Sequence, residues 1–182
     1  MPASLTKLWA RLGIPKDYAR VRHLPRHRET RTLVSIGRNP DGRTLKLAPR
    51  AAAAWRKMQA AAATDGVALL AISGFRSVAR QAGIIRGKLA QGQAIGAILR
   101  VVAAPGCSEH HSGRAVDIGS PGDTDLDERF ARTAAFRWLK RHASRHGFFL
   151  SYPRHNPHAI SYEPWHWCWR RPSSEESPGP TI

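Results

Sequence analysis

Two stretches of this chain carry most of its capacity for chemistry. They are Ser108-Glu109-His110-His111-Ser112-Gly113-Arg114-Ala115-Val116-Asp117 and Glu163-Pro164-Trp165-His166. Together they offer two imidazoles and one carboxylate as metal donors, and a second carboxylate three residues before the last imidazole. A catalytic zinc site needs three protein ligands and an open position for water. It also needs a free base to take that water's proton. The inventory therefore predicts a zinc peptidase.

Spacing decides whether these groups can meet. His110 and Asp117 are seven residues apart with Ser112-Gly113 between them, and a tight turn there brings both side chains to one point. Gly113 would supply the backbone freedom. Glu163 and His166 are three apart, which in a flat strand places them on opposite faces. Pro164 predicts a bend that turns both toward one place. A lone histidine such as His110 is more often a surface or core residue than a ligand, so the pair matters more than either member.

The elements that must hold these residues follow from periodicity. Pro49 begins a helix that runs through Ala63, with Trp55, Met58 and Ala62 on one face, and Gly66 stops it. Val67 to Ile72 reads as a buried strand. Helices follow from about Val78 to Ala90 and from Ala94 to Val102. Ala115 to Ile118 reads as a strand with Val116 and Ile118 facing the core and Asp117 on the other side. Asp127 to His146 reads as one long helix, acidic at its start and basic at its end, stopped by Gly147. Phe148 to Tyr152 and Ile160 to Trp169 supply two more strands. Trp165, Trp167 and Trp169 would share one face, mostly as core, with one of them walling a cleft. The order predicts an α+β fold, a small antiparallel or mixed sheet with helices packed on it, in a single zinc-peptidase domain.

Domain limits are set at residues 1–49, 50–170 and 171–182. The first is a basic arm. In it Leu33–Ile36 and Thr44–Leu47 flank the Asn39-Pro40-Asp41-Gly42 turn and form either a short hairpin or a loosely packed segment. The last is rich in Pro, Ser, Glu and Gly and is expected to be disordered.

Composition fits a folded chain of 182 residues with a real core. Lys plus Arg number 29 against 13 acidic residues, a formal net charge of +16, which attracts polyanions. The charge is spread along the chain without RNA-binding or zinc-finger spacing, so nucleic acid is disfavoured. An anionic wall polymer, a membrane surface and a generally basic protein with no such partner all stay open. Cys107 and Cys168 exclude a disulfide framework; each flanks a proposed metal segment, so two free thiols and one disulfide are both open. No leader pattern and no membrane-spanning run is visible, which makes the cytoplasm the default and the cell envelope the alternative. A monomer is expected.

Ser108-x-His110-x-x-Gly113-x-Ala115-x-Asp117 and Glu163-Pro164-Trp165-His166 resemble the two signature segments of the zinc D-alanyl-D-alanine carboxypeptidases. That group includes vancomycin-resistance D,D-carboxypeptidases and D,D-dipeptidases and L,D-carboxypeptidases. Ser73-Gly74-Phe75-Arg76-Ser77 with Gln81 resembles a third segment, with Phe75 where a Tyr is often found. The similarity runs from about Ala51 to Arg170. The resemblance implies that His110, Asp117 and His166 hold one Zn²⁺. It makes Glu163 the general base and lets Arg76 meet the peptide's anionic end or the developing oxyanion. Gln81 and Ser108 would contact peptide. The implied activity is removal of C-terminal D-Ala from peptidoglycan-type peptides or precursors. A wall endopeptidase or D,D-dipeptidase of the same fold is the enzymatic alternative, and a non-catalytic zinc-containing basic binding module the other.

Overall fold

The structure, a computed structural model, describes residues 3–171. The elements in chain order are α1 (Ala3–Arg11), α2 (Tyr18–Val21), β1 (Val34–Arg38), β2 (Thr44–Leu47), α3 (Pro49–Thr64), β3 (Leu70–Ser73), α4 (Val78–Ala90), α5 (Ile95–Val101), β4 (Ala115–Gly119), α6 (Ala134–His142), β5 (Phe148–Leu150) and β6 (His166–Trp169). Short 3-10 turns occupy Glu109–Ser112, Glu128–Arg132 and Ala143–His146. The fold is α+β, as expected.

β1 and β2 pair as the hairpin drawn by Asn39-Pro40-Asp41-Gly42. Asn39 Oδ1 accepts from the Arg43 backbone N–H at 2.8 Å, which closes the turn. β3, β4, β6 and β5 form a four-stranded sheet in that order, antiparallel at every step. Register is what positions the site. Asp117 stands opposite Ser73 on one side and opposite His166 on the other. Directly opposed residues present their side chains to the same face, close together. Val116 and Trp167 form the next opposed pair, so they point to the other face.

That other face is the main core. Val116, Ile118, Phe148 and Trp167 pack with Trp55, Met58 and Ala62 of α3 and with Trp138 and Leu139 of α6. The Trp55 and Phe148 rings meet edge to face at 6.4 Å. Pro49 occupies the first turn of α3, where its missing N–H costs nothing.

A second core contains no strand residue: Trp9, Leu12, Ile14, Tyr18 and Leu24 bury against Ile85, Ile98, Leu99, Tyr152 and Ile160. Trp9 Nε1 donates to the Pro105 carbonyl at 2.9 Å, a buried bond across 96 residues of sequence. The basic arm expected at residues 1–49 is therefore packed into the molecule through α1, α2 and the hairpin. Most of its large apolar residues, Trp9, Leu12, Ile14, Tyr18, Leu24, Leu45 and Leu47 among them, go inside, while Val21 stays exposed.

Four segment expectations are corrected. The buried strand expected over Val67–Ile72 is β3, which starts only at Leu70 and lies half-buried at the edge of the sheet. The Asp127–His146 stretch is two 3-10 turns flanking α6. Thr133 is extended (φ −76°, ψ 159°) and caps α6, its Oγ accepting from the Phe136 N–H at 3.1 Å. A local cap outweighs the periodicity. The strand expected over Ile160–Trp169 begins only at His166, because the preceding residues turn at Pro164-Trp165. The strand expected to reach Tyr152 ends at Leu150. The tail, apart from Arg171, lies outside the described residues. No helix among the described residues is long and apolar enough to cross a membrane.

Candidate metal centre

His110, Asp117 and His166 converge, each buried, with their donor atoms all within 4.8 Å of one another. His110 sits on the 3-10 turn that enters β4. Its Nδ1 lies 2.7 Å from the Gly74 carbonyl oxygen, which can only accept. The proton is therefore on Nδ1, and Nε2 turns its lone pair to Asp117 Oδ2 at 3.2 Å. Burial lowers His110 to about 4, so it stays neutral.

His166 uses the opposite edge. Its Nδ1 faces Asp117 Oδ1 at 3.0 Å and its Nε2 lies 2.9 Å from Glu109 Oε2. Burial opposes charge on His166, but Asp117 and Glu109 raise the metal-free imidazole to about 10. Burial would likewise raise Asp117, yet the protonated His166 hydrogen-bonded to it holds its carboxyl far below the ordinary range.

The turn at residues 163–166 does what the proline predicts. The His166 N–H donates to the Glu163 carbonyl at 3.1 Å, so residues i and i+3 meet on one side. Glu163 Oε2 reaches 3.9 Å from His166 Nδ1 and makes no shorter polar contact among the described residues. Burial raises its carboxyl to about 7.

Gly113 closes the turn between the first two donors at φ +67°. A Cβ there would sit 2.9 Å from both the Ala48 nitrogen and Thr30 Cγ2. The position thus demands glycine twice, for dihedral and for space. Gly74 permits a second close approach: a Cβ would lie 2.7 Å from the Lys46 carbonyl.

Arg76 leaves the end of β3. Its guanidinium donates to Gln81 Oε1 at 3.1 Å, Ser73 Oγ at 3.2 Å and Asp117 Oδ2 at 3.5 Å. Gln81 is buried and donates from its other end to the Ala103 carbonyl at 2.6 Å. Gln81 thus orients Arg76. His111 is fully buried, bridging the Arg76 carbonyl (2.6 Å) and the Gly106 N–H (3.0 Å).

All seven anticipated residues, Arg76, Gln81, Ser108, His110, Asp117, Glu163 and His166, line one cleft of about 350 Å³. Tyr152, Ile160, Trp165, Leu126 and Lys88 complete its walls. Trp165 is the cleft tryptophan. The other histidines stand apart: His142 and His146 stack on Trp138, and His158 bonds to the Arg22 carbonyl at 3.0 Å. Cys107 and Cys168 are buried free thiols.

Glu109 is the residue that sequence reasoning missed. Its carboxylate accepts from His166 Nε2 and, at 2.6 Å, from Ser151 Oγ. Burial opposes its ionisation, but these bonds bring it down to about 2. Its place beside His110 was the only signal, since its partner is 57 residues away. A carboxylate behind a ligating imidazole fixes ring orientation and raises donor strength.

The donor set suits a zinc-like ion: two imidazoles with neighbours that fix their orientation, one carboxylate, a dry surround and one side open to the cleft. Residues 44–172 match the family model described as VanY, D-alanyl-D-alanine carboxypeptidase. The chain belongs to this carboxypeptidase family. It is 38% identical over 120 residues to the putative carboxypeptidase YodJ of Bacillus subtilis (strain 168), covering 64% of this chain and 43% of that protein. The chain therefore spans less than half the length of that relative. A solved LD-carboxypeptidase, LdcB, superposes with a TM-score of 0.70 at 32% identity over 80% of this chain and 71% of that one. The zinc complex of the vancomycin-resistance D,D-pentapeptidase VanY (E175A variant) superposes with a TM-score of 0.60 at 28% identity over 76% and 78%.

Proposed function

We propose that this protein is a zinc carboxypeptidase that removes the C-terminal D-amino acid, D-Ala foremost, from peptidoglycan-type peptides. The observation that carries the reading is Glu163. It is a buried carboxylate beside the donor triad, outside the ligand set, with its proton affinity raised to near neutrality. A structural zinc site has no use for such a group, which argues against the binding module.

His110 Nε2, an Asp117 oxygen and His166 Nδ1 would hold the ion. When bound, zinc supplies a Lewis acid that polarises the scissile carbonyl and acidifies water to near neutral pH. Glu163 takes the proton from the attacking water. It returns that proton to the departing amine as the C–N bond breaks, so the carboxylate is regenerated. Arg76, held by Gln81 and Asp117 beside the donors, faces the oxygen on which charge develops. Ser108 lies on the cleft wall within reach of the peptide backbone.

The +16 charge would hold the protein near an anionic wall polymer, with an attachment that weakens as salt rises.

The test is release of D-Ala from a muropeptide ending in D-Ala-D-Ala, by mass spectrometry, for zinc-loaded protein and for Glu163→Gln. Loss of general-base catalysis is expected to slow release by at least ~10²-fold. Undiminished release would remove Glu163 from the mechanism. Free D-Ala-D-Ala and intact sacculi, run alongside, separate the dipeptidase and endopeptidase alternatives.

A further inference from the structure

Two cations line the cleft, and they are not equivalent. Arg76 is tied to Asp117, Gln81 and Ser73. Lys88 is half-buried, and its ammonium makes no ion pair or side-chain hydrogen bond among the described residues. A cation facing a peptide cleft without a protein partner is free to meet an anion brought by the ligand.

The position of Lys88 limits which anion. Lys88 follows Gln81 by seven residues on α4, two helical turns, so both project from the same face roughly 10 Å apart along the axis. Gln81 marks the reacting end, because it holds Arg76. The terminal α-carboxylate of a leaving residue lies only about one residue length, ~3.5 Å, from the bond that is cut. A side chain on the residue one step before the penultimate one, with three or four methylenes, reaches on the order of 10 Å from that bond.

The surroundings favour such a stem. Val101 and Leu126 line the same cleft and are 48% and 37% exposed, two of the four large hydrophobics left exposed among the described residues. Apolar side chains in the same cleft as a lone ammonium suit an aliphatic chain that ends in a carboxylate.

We infer that Lys88, with Val101 and Leu126, forms a specificity subsite for an acidic side chain on an aliphatic stem, carried by the substrate two residues before its C-terminal residue. This rests on the peptidase reading above, and the experiment separates the two.

N-acetyl-X-D-Ala-D-Ala peptides are compared with X as L-2-aminoadipate, L-norleucine or L-lysine. Binding is measured by calorimetry in the zinc-loaded Glu163→Gln protein, and D-Ala release in the zinc-loaded parent. The aminoadipate peptide is expected to bind about 2- to 5-fold more tightly than the norleucine peptide, the scale of one partly exposed ion pair. Lys88→Met should bring that ratio near one, Lys88→Arg should restore it, and Lys88→Glu should shift preference to the lysine peptide. Equal binding of the first two peptides by the Glu163→Gln protein, or an unchanged ratio in Lys88→Met, would overturn the assignment. A Lys88-dependent preference without D-Ala release would sink the peptidase reading and leave the subsite standing. D-Ala release at equal rates with no preference would do the reverse.

Discussion

At the scale of single residues, the centre is built from groups that constrain one another. Glu109 joins His166 to Ser151 from behind, and its removal would free the imidazole to rotate. Glu109→Ala is expected to weaken zinc binding by about 10- to 100-fold, measured by competition with a chromophoric chelator, while the fold persists. Glu109→Gln keeps an acceptor and should lose less. Glu163 predicts a pH dependence of stability. Its folded value is about 7 against an ordinary 4.5, so the folded state binds more protons between those values. The metal-free protein therefore loses stability as pH rises through that window, by on the order of 2–3 kcal/mol, and the loss is complete above pH 7. Glu163→Gln cannot ionise. In chelator-treated protein its melting temperature should exceed that of the parent at pH 8, and the gap should close by about pH 5. A constant gap would mean that burial does not raise this carboxyl. The side chains that the structure brings together at the centre were legible in the sequence because His, Asp and Glu at fixed spacing around Gly and Pro are rare and chemically specific. Glu109 and Lys88 were not legible. One depends on a partner far along the chain, and the other looks like any lysine on a helix until the cleft beside it is seen.

At the scale of elements, the register of β4 against β6 does most of the positioning, and Gly113 sets the entry to β4. Gly113→Ala places a side chain at φ +67° and drives its Cβ into Ala48 and Thr30. Gly122 has a similar φ of +79° with nothing within 4 Å of a Cβ, so Gly122→Ala reports the dihedral cost alone. That cost is about 1 kcal/mol. Gly113→Ala should cost clearly more, ~2–4 kcal/mol in denaturant titration, and should weaken zinc binding as well. Equal losses at the two sites would show that the close approach to Ala48 is unimportant. The strands and α3 were readable from apolar alternation and helical spacing. The stretch around α6 was not, because its charges suit one continuous helix, while the Thr133 hydroxyl offers Phe136 a competing bond and breaks it. β6 was drawn too long for a similar reason: apolar content continues upstream of the turn that ends it.

For the whole molecule, the stretch matched by the family model begins at residue 44, yet the residues before it are structural. Trp9, Leu12, Ile14, Tyr18 and Leu24 are all at least 94% buried, in the core that also carries Tyr152 and Ile160 of the cleft wall. At roughly 1.5–3 kcal/mol for each buried side chain, their sum is comparable to the whole stability of a domain. Deleting residues 1–24 is expected to abolish the cooperative thermal transition seen by circular dichroism. A truncated chain that melted within about 5 °C of the parent would show that this segment is an appendage after all. Its burial was hard to read because a handful of large apolar residues is scattered among many charged ones, too sparsely to give a period.

Asp117 and His166 face each other across a hydrogen-bonded ladder, whereas Leu126, Tyr152 and Ile160 reach the cleft from the connections outside it. The two ladder donors and much of the rim are therefore held by different parts of the fold, with Tyr152 packing its ring 5.0 Å from that of His166. A strand that gained or lost one residue would turn a donor to the wrong side and end catalysis. A connection that bears no reacting group, such as the one carrying Leu126, could lengthen, shorten or change composition and merely select a different peptide. Diversity among such enzymes should accumulate in the connections while the ladder stays the same length.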